Sequence, residues 1–398
     1  MPLQLSPRVT QLLNTVAPIS QFLSASPWAQ KHLEPDVCDF AIGNPQDMPL
    51  AAFVDALKHW AEPQDKSWYG YKQSGEKARV AVATSLSDRY NRGFLPEDIF
   101  MTNGAFAGNY LTFKALLEPG EEFIFLSPAW FFYEGMITDN GGIPVKVRVK
   151  ENSFNLDLKA IEEALTPKTR GIVINSPHNP TGKVYSPEVL ESLADLLKQA
   201  SKRFGKDIFL LSDEAYRVVV FDGLEYMSPS AYYPNSIIVY TYGKSLLTPG
   251  QRIGYIALSP EMPKKNREVL RTTIPAYQNF VGFSYPNALL QHAIEDLEAF
   301  TIDISLLQKK RDYLVENLKP IGYEPSNPEG AFYVMVRSPV QDDWSFARVL
   351  GDLDILVMPG EVVEMPGFIR LSLTASEAMI EKSLPGFKEA LGQSHSSV

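Results

Sequence analysis

The chain reads as an α/β protein: a mainly parallel seven-stranded sheet with helices on both faces, joined to a smaller α+β unit. Three observations predict this. Between Ile99 and Ser259 there are seven short apolar runs, IFMT, EFIFLS, VKVRV, GIVINS, IFLLSDE, SIIVYTYG and RIGYIALS, each of strand length and rich in β-branched or aromatic residues. Amphipathic stretches of helical period separate them, such as LDLKAIEEAL at 156–165 and PEVLESLADLLKQASKRF at 187–204, the second preceded by Ser186 as an N-cap. Strands joined through helices pair in parallel, because each crossover returns the chain to the same end of the sheet. Beyond about residue 285 the pattern changes to long helical stretches, PNALLQHAIEDLEAF and LLQKKRDYLVENL, and then to the strands GAFYVMV, ILVMPG and GFIRLSL.

At 398 residues the chain exceeds what one hydrophobic core usually serves. The predicted division is a large unit over 46–289 and a small one built from 1–45 with 290–398. The first forty residues hold no complete domain pattern, so they are expected to pack on the C-terminal unit. Composition excludes several functions. With 47 acidic against 37 basic residues the net charge is −10, which repels phosphate backbones and anionic lipid, so neither nucleic acid nor membrane is an expected partner. The opening MPLQLSPRVT lacks a basic segment leading into an apolar run, and the expected location is the cytoplasm. A single cysteine, Cys38, and five scattered histidines offer no intramolecular disulfide and no metal-ligand spacing. No metal is expected, and reactivity must come from elsewhere.

One source is Lys244 in YTYGKSLLTPGQRIG, just past an apolar strand and eight residues before Arg252. Ligands of open α/β sheets sit at the carboxyl ends of strands, which is where this places it. A lysine amine forms an imine with an aldehyde cofactor, and an arginine grips a phosphate with its forked donors. On spacing alone, solvated surface charge is the commoner explanation of such a pair. Asp213 in SDEAY ends the apolar strand IFLLS, where a carboxylate is costly unless it meets a positive group such as a protonated pyridine nitrogen, or caps a turn. Tyr216, three residues on, and Asn179 in INSPHNPTG can each donate to a ring hydroxyl. In MTNGAFAGNYLTFKALL a strand runs into a helix through small residues, so the amides of Gly104, Ala105 and Phe106 can bind a phosphate at a helix N-terminus. An ordinary turn between strand and helix is the alternative. Trp130 in SPAWFFYEG can stack on a flat ring or fill the core. Arg370, inside the apolar strand GFIRLSL, needs a fixed anion, which is either an internal carboxylate or that of a substrate.

In their order along the chain these pieces resemble the class I/II aminotransferases of the fold-type I pyridoxal-phosphate enzymes. The resemblance runs from IGNPQDMP at Ile42 to Arg370, and its most specific parts are SPHNPTG, SDEAY and KSLLTPGQRIG, the last matching at Lys244, Gly250, Arg252 and Gly254. It implies pyridoxal 5′-phosphate as cofactor, with Lys244 as its imine lysine and proton shuttle. It further implies Asp213 on the pyridine nitrogen, Asn179 and Tyr216 on the ring hydroxyl, and Trp130 against the ring. Arg252, the amides of Gly104 to Phe106, and Thr241 would hold the phosphate. Arg370 would bind the substrate α-carboxylate, with Gly43 in a loop closing over it. The family forms homodimers with shared active sites, in which a partner tyrosine reaches the phosphate; Tyr71 is the favoured candidate here and Tyr69 its competitor. The run before the lysine is Thr241, Tyr242, Gly243 where the family often has serines.

The implied activity is transfer of an amino group between an L-amino acid and a 2-oxo acid. The same residues also serve lyases and ring-closing synthases of this fold, and a non-catalytic regulator is the remaining alternative, disfavoured by the net charge. A general or aspartate-type transaminase leads. An acidic substrate would need a second cation, for which Lys72 and Arg271 are the candidates, whereas the FFY run at 131–133 suits an apolar or aromatic side chain.

Overall fold

The computed structural model describes residues 4–396. Its strands, in chain order, are β1 (Cys38–Asp39), β2 (Ile99–Thr102), β3 (Glu122–Ser127), β4 (Ile143–Arg148), β5 (Thr169–Asn175) and β6 (Phe209–Asp213). They continue with β7 (Ser236–Thr241), β8 (Gly254–Leu258), β9 (Tyr333–Arg337), β10 (Ile355–Leu356), β11 (Met358–Pro359) and β12 (Phe368–Ser372). Seven of them form one sheet in the order β2-β8-β7-β6-β5-β3-β4. Every pair is parallel except the two that involve β8, so the predicted mainly parallel sheet is the one observed.

Helices cover both faces of this sheet because its strands are apolar on both sides. Leu211, Ile237 and Val239 pack with Leu111 and Phe113 of the helix Gly104–Leu116 and with Leu270 and Ile274 of the helix Lys264–Phe280. Their alternating neighbours Leu210, Ile172 and Ile174 pack instead with Leu190, Leu193 and Leu197 of the helix Pro187–Phe204. The period of two along each strand thus feeds two separate cores. Further along the second face, Ile238, Tyr240 and Tyr255 pack on Val82 and Leu86 of the helix Glu76–Tyr90.

A three-stranded antiparallel sheet, β11-β12-β9, lies outside the large one. The N-terminal segment joins it: β1 pairs with β10, Lys31 bonds Asp354 at 2.7 Å, and Ile19 and Phe22 pack with Met335 and Met358. Residues from Ile19 to Asp39 thus meet C-terminal elements as expected, whereas the opening helix Pro7–Thr15 lies against the helix Tyr133–Asp139 of the large sheet's surroundings, with Arg8 Nη2 3.4 Å from Asp139 Oδ1. Boundaries differ in places. PNALLQHAIEDLEAF forms two short helices, Ala288–His292 and Ile294–Ala299, and ILVMPG divides into β10 and β11. Ser186 occupies the N-cap position without a side-chain capping bond. No described helix is long and apolar enough to cross a membrane, and no group of histidine, cysteine or acidic residues among the described residues could hold a metal ion.

Candidate active site

The carboxyl ends of β6 and β7 open into a cavity of about 330 Å³ that lies between the large sheet and β9 and β12. Its wall includes Ala105, Phe106, Trp130, Asn179, Asp213, Tyr216, Thr241, Lys244, Arg252 and Arg370. Residues up to 265 positions apart therefore share one space: most lie at or just past the carboxyl ends of strands of the large sheet, and Arg370 reaches it from β12 of the small one.

Asp213 is the last residue of β6 and is 3% exposed. Its Oδ2 accepts from Tyr133 Oη at 2.6 Å and from Asn109 Nδ2 at 2.7 Å, and its Oδ1 accepts from the Ala215 amide at 3.2 Å. Burial pushes this carboxyl upward, against the pull of those donors. A cation beside it would remove that burden, and no side-chain cation pairs with it among the described residues.

Lys244 follows β7 directly, as its position past an apolar strand predicts. It lies in a one-turn helix, Tyr242–Ser245, capped by Thr241, whose Oγ1 accepts from the Gly243 amide at 3.3 Å. The lysine is half-buried, and its Nζ stands 5.5 Å from the centre of the Tyr216 ring and 6.0 Å from that of Phe332. No hydrogen bond or ion pair to another described residue holds it.

On the neighbouring wall, Asn103 makes no side-chain cap for the helix Gly104–Leu116, so the first-turn amides remain available to an anion. Gly104 has φ +79°, and a Cβ there would lie 3.0 Å from Arg252 Nη2 and 3.4 Å from Thr241 Oγ1. Only glycine leaves this recess open. Arg252 is positioned by the carbonyls of Pro249 at 2.7 Å and Asn103 at 3.4 Å, and burial depresses its guanidinium. Trp130 lies edge-on to Phe106 and Tyr133, with ring centres 5.1 and 5.3 Å away.

Arg370 is 2% exposed in β12. Its Nη1 donates to Asn179 Oδ1 at 3.3 Å and its Nη2 to the Ala41 carbonyl at 3.1 Å, while Nε has no partner. The internal carboxylate that would have explained this arginine is missing among the described residues. Its guanidinium carbon stands 4.0 Å above the Tyr333 ring, and burial lowers its proton affinity. Tyr333 Oη in turn meets Tyr216 Oη at 3.3 Å. Burial pushes the Tyr333 phenol up, but the Lys244 and Arg370 cations outweigh it and the net displacement is downward, whereas burial and Tyr333 drive Tyr216 well upward.

Gly43 (φ +87°) borders this corner without lining the cavity: a Cβ on it would lie 3.0 Å from Tyr333 Oη. Tyr71 and Tyr69 do not reach the cavity of their own chain. Tyr71 is 90% exposed with its ring 4.8 Å from that of Tyr285, and Tyr69 Oη bonds the Ala61 carbonyl. The two cations considered for an acidic substrate are engaged elsewhere, Lys72 with the carbonyls of Ser67 and Trp68, Arg271 with Asp98 at 2.8 Å. Asn109, Asn175 and Tyr333 escaped the sequence analysis, and Tyr133 entered it only within the FFY run, not as a partner of Asp213. An asparagine on the inner face of the otherwise apolar helix pattern AFAGNYLTF was the one usable signal, since a buried amide requires a partner.

His178, beside Asn179, is fully enclosed with Nδ1 2.8 Å from Thr181 Oγ1, and burial pushes its imidazole from 6.5 down to about 4. The unfolded chain therefore takes up this proton below about pH 6.5 and the folded chain only below about 4, so stability drains away as pH falls through that window, by up to about 3 kcal/mol. His178→Gln is expected to lose less melting temperature than the parent between pH 7 and 4. Equal slopes would exclude His178 as the source.

Comparison with known proteins gives this geometry its context. The family model "Aminotransferase class I and II" matches residues 35–385. The chain belongs to this family. The aminotransferase is 31% identical to the aspartate/prephenate aminotransferase of Thermus thermophilus over 90% of its own length and 92% of the relative's. It is 30% identical to a probable aspartate/prephenate aminotransferase of Aquifex aeolicus, covering 89% and 91% of the two chains. Among solved structures, an amino transferase from Eubacterium rectale superposes with a TM-score of 0.86 at 30% identity, over 99% of each chain. The aspartate aminotransferase of Thermotoga maritima gives 0.83 at 26% identity, over 98% of this chain and 100% of that one. The predicted family, fold class and activity are those found.

Proposed function

We propose that this aminotransferase holds pyridoxal 5′-phosphate at Lys244 and exchanges an amino group between an L-amino acid and a 2-oxo acid in the cavity described above. The observation that carries this is Arg370, a buried guanidinium with an unpartnered Nε and no carboxylate, facing the same space as an unbonded Lys244 and a buried Asp213. The residues fit the cofactor's chemistry. The recess kept open by Gly104, between Arg252, Thr241 and the helix amides, suits a phosphate dianion. Asp213 provides a fixed negative charge for a protonated ring nitrogen, Asn179 Nδ2 and Tyr216 Oη provide donors for a ring hydroxyl, and Trp130 an aromatic face.

When bound, the cofactor supplies an electron sink for a bond broken at the substrate's α-carbon. Arg370 orients the substrate through its α-carboxylate, with two parallel hydrogen bonds. Lys244 Nζ carries the proton taken from the α-carbon and returns it on the other side of the exchange. Asn109 and Tyr133 keep the Asp213 carboxylate in place, and Gly43 lets the loop that precedes it lie close over Tyr333 and the substrate. The same reading assigns 46–289 to the cofactor-binding unit and 1–45 with 290–398 to the smaller one. It also makes the protein a cytoplasmic homodimer whose shared sites are completed by Tyr71 of the partner subunit. The exposure of Tyr71 and of Tyr285 beside it, 90% and 48%, supports a second copy there.

The test is an absorption spectrum of the purified protein, loaded with pyridoxal phosphate, before and after single amino acids are added without an oxo-acid acceptor. The visible band is expected to give way to that of the cofactor's amine form, with one oxo acid released per site and no ammonia. Release of ammonia would mark a lyase, and absence of any cofactor band would overturn the assignment of Lys244.

A further inference from the structure

We infer that the amino donor carries an apolar side chain, preferably aromatic, rather than a second carboxylate, an inference that rests on the aminotransferase reading of the cavity. Charge inside this cavity is already committed. Among the described residues that line it the cations are Lys244, Arg252 and Arg370, assigned in turn to the cofactor aldehyde, its phosphate and the substrate α-carboxylate. This chain has none left there for a side-chain carboxylate.

Asn179 and Tyr333 border Arg370 on one side; the rest of the wall next to it is apolar. Met358 is its direct cross-strand partner on β11, and Ile42 follows Ala41, whose carbonyl the guanidinium bonds. Ile19 belongs to the same hydrophobic cluster as Met358, with Ile42 and Phe131 packed against it. Leu23, one helical turn beyond Ile19 on the helix Ala17–Ala25, also faces the cavity and is 47% exposed. A substrate anchored at Arg370 thus extends its side chain toward a surface that gains by being covered. A carboxylate placed there would lose its water and find no cation.

Behind Ile19 and Phe131 lies an adjoining cavity whose one lysine, Lys146, is taken by Glu364 at 2.8 Å and Glu134 at 3.4 Å. Glu361 lines it too, so its balance is negative and repels a second carboxylate. The relatives named for aspartate therefore do not define the donor of this chain.

Two measurements on the cofactor-loaded protein decide this. In the acceptor-free half-reaction, kcat/KM for L-phenylalanine or L-leucine is expected to exceed that for L-aspartate and L-glutamate by about 100-fold. Equal or better reaction of either acidic amino acid overturns the inference. Binding of two unreactive acids, 3-phenylpropanoate and maleate, is measured by calorimetry, with 3-phenylpropanoate expected to bind at least about tenfold tighter. Tighter maleate binding overturns it as well. If no amino acid alters the cofactor, the transaminase reading fails, and the binding result still judges the side-chain pocket. Leu23→Lys, on a partly exposed helix face, is expected to raise the aspartate-to-phenylalanine ratio of kcat/KM about tenfold; an unchanged ratio would remove this helix from the side-chain pocket and overturn the assignment.

Discussion

Lys244→Ala is expected to reduce turnover by at least about 10⁴-fold, the scale seen when a residue that both bonds and transfers a proton is removed. The alanine takes away the one amine in the cavity that is not bound to anything, so no other group inherits its role. Arg252 and Arg370 are guanidiniums that stay protonated and cannot accept a proton. Folding should survive, because the lysine is half-buried and forms no hydrogen bond or ion pair to another described residue, and its short helix is held by Thr241 and the backbone. The check is twofold: steady-state rates, and a melting curve within about 1 kcal/mol of the parent. The variant should also fail to retain cofactor covalently after borohydride treatment. Normal turnover would sink the assignment outright.

Asp213→Asn is expected to lower kcat by about 10³-fold while leaving the fold intact, in line with the loss of a preorganised charge at a site where charge develops. An asparagine oxygen in the Oδ2 position still accepts from Tyr133 and Asn109, and only the 3.2 Å bond from the Ala215 amide is lost. One such bond contributes about 1 kcal/mol. The charge is another matter. Burial already pushes this carboxyl upward, so its ionised form depends on those donors and on whatever cation faces it. A neutral amide cannot hold a proton on a ring nitrogen. Rates within tenfold of the parent would show that Asp213 serves packing and hydrogen bonding alone.

Several site residues were legible because each violates the local pattern that surrounds it. Asp213 at the end of IFLLS and Arg370 inside GFIRLSL are charges in apolar strands, and both are buried, at 3% and 2% exposure. Gly104 signalled a strand-to-helix turn through its small side chain. Tyr333 and Tyr133 gave no such signal, since a tyrosine in an apolar run is usually core. They joined the site only because β9 lies beside β12 and because the segment after β3 folds back over β6.

The sheet, its two-sided burial and the chemistry of its exceptional charges could be read from the residues alone, because strand period, helix period and the cost of burying a charge are local properties. Which of those charges share a cavity, and which do not, was set by the folding of distant segments onto one another. Arg271 was drawn off to Asp98 and Lys72 to nearby carbonyls, while Ile19, Leu23 and Met358 came from opposite ends of the chain to make one apolar wall. Such neighbours are set by the long-range pairing of β1 with β10 and of β11 with β12, and each pairing is stabilised by contacts between residues too far apart in the chain for any periodicity to connect them.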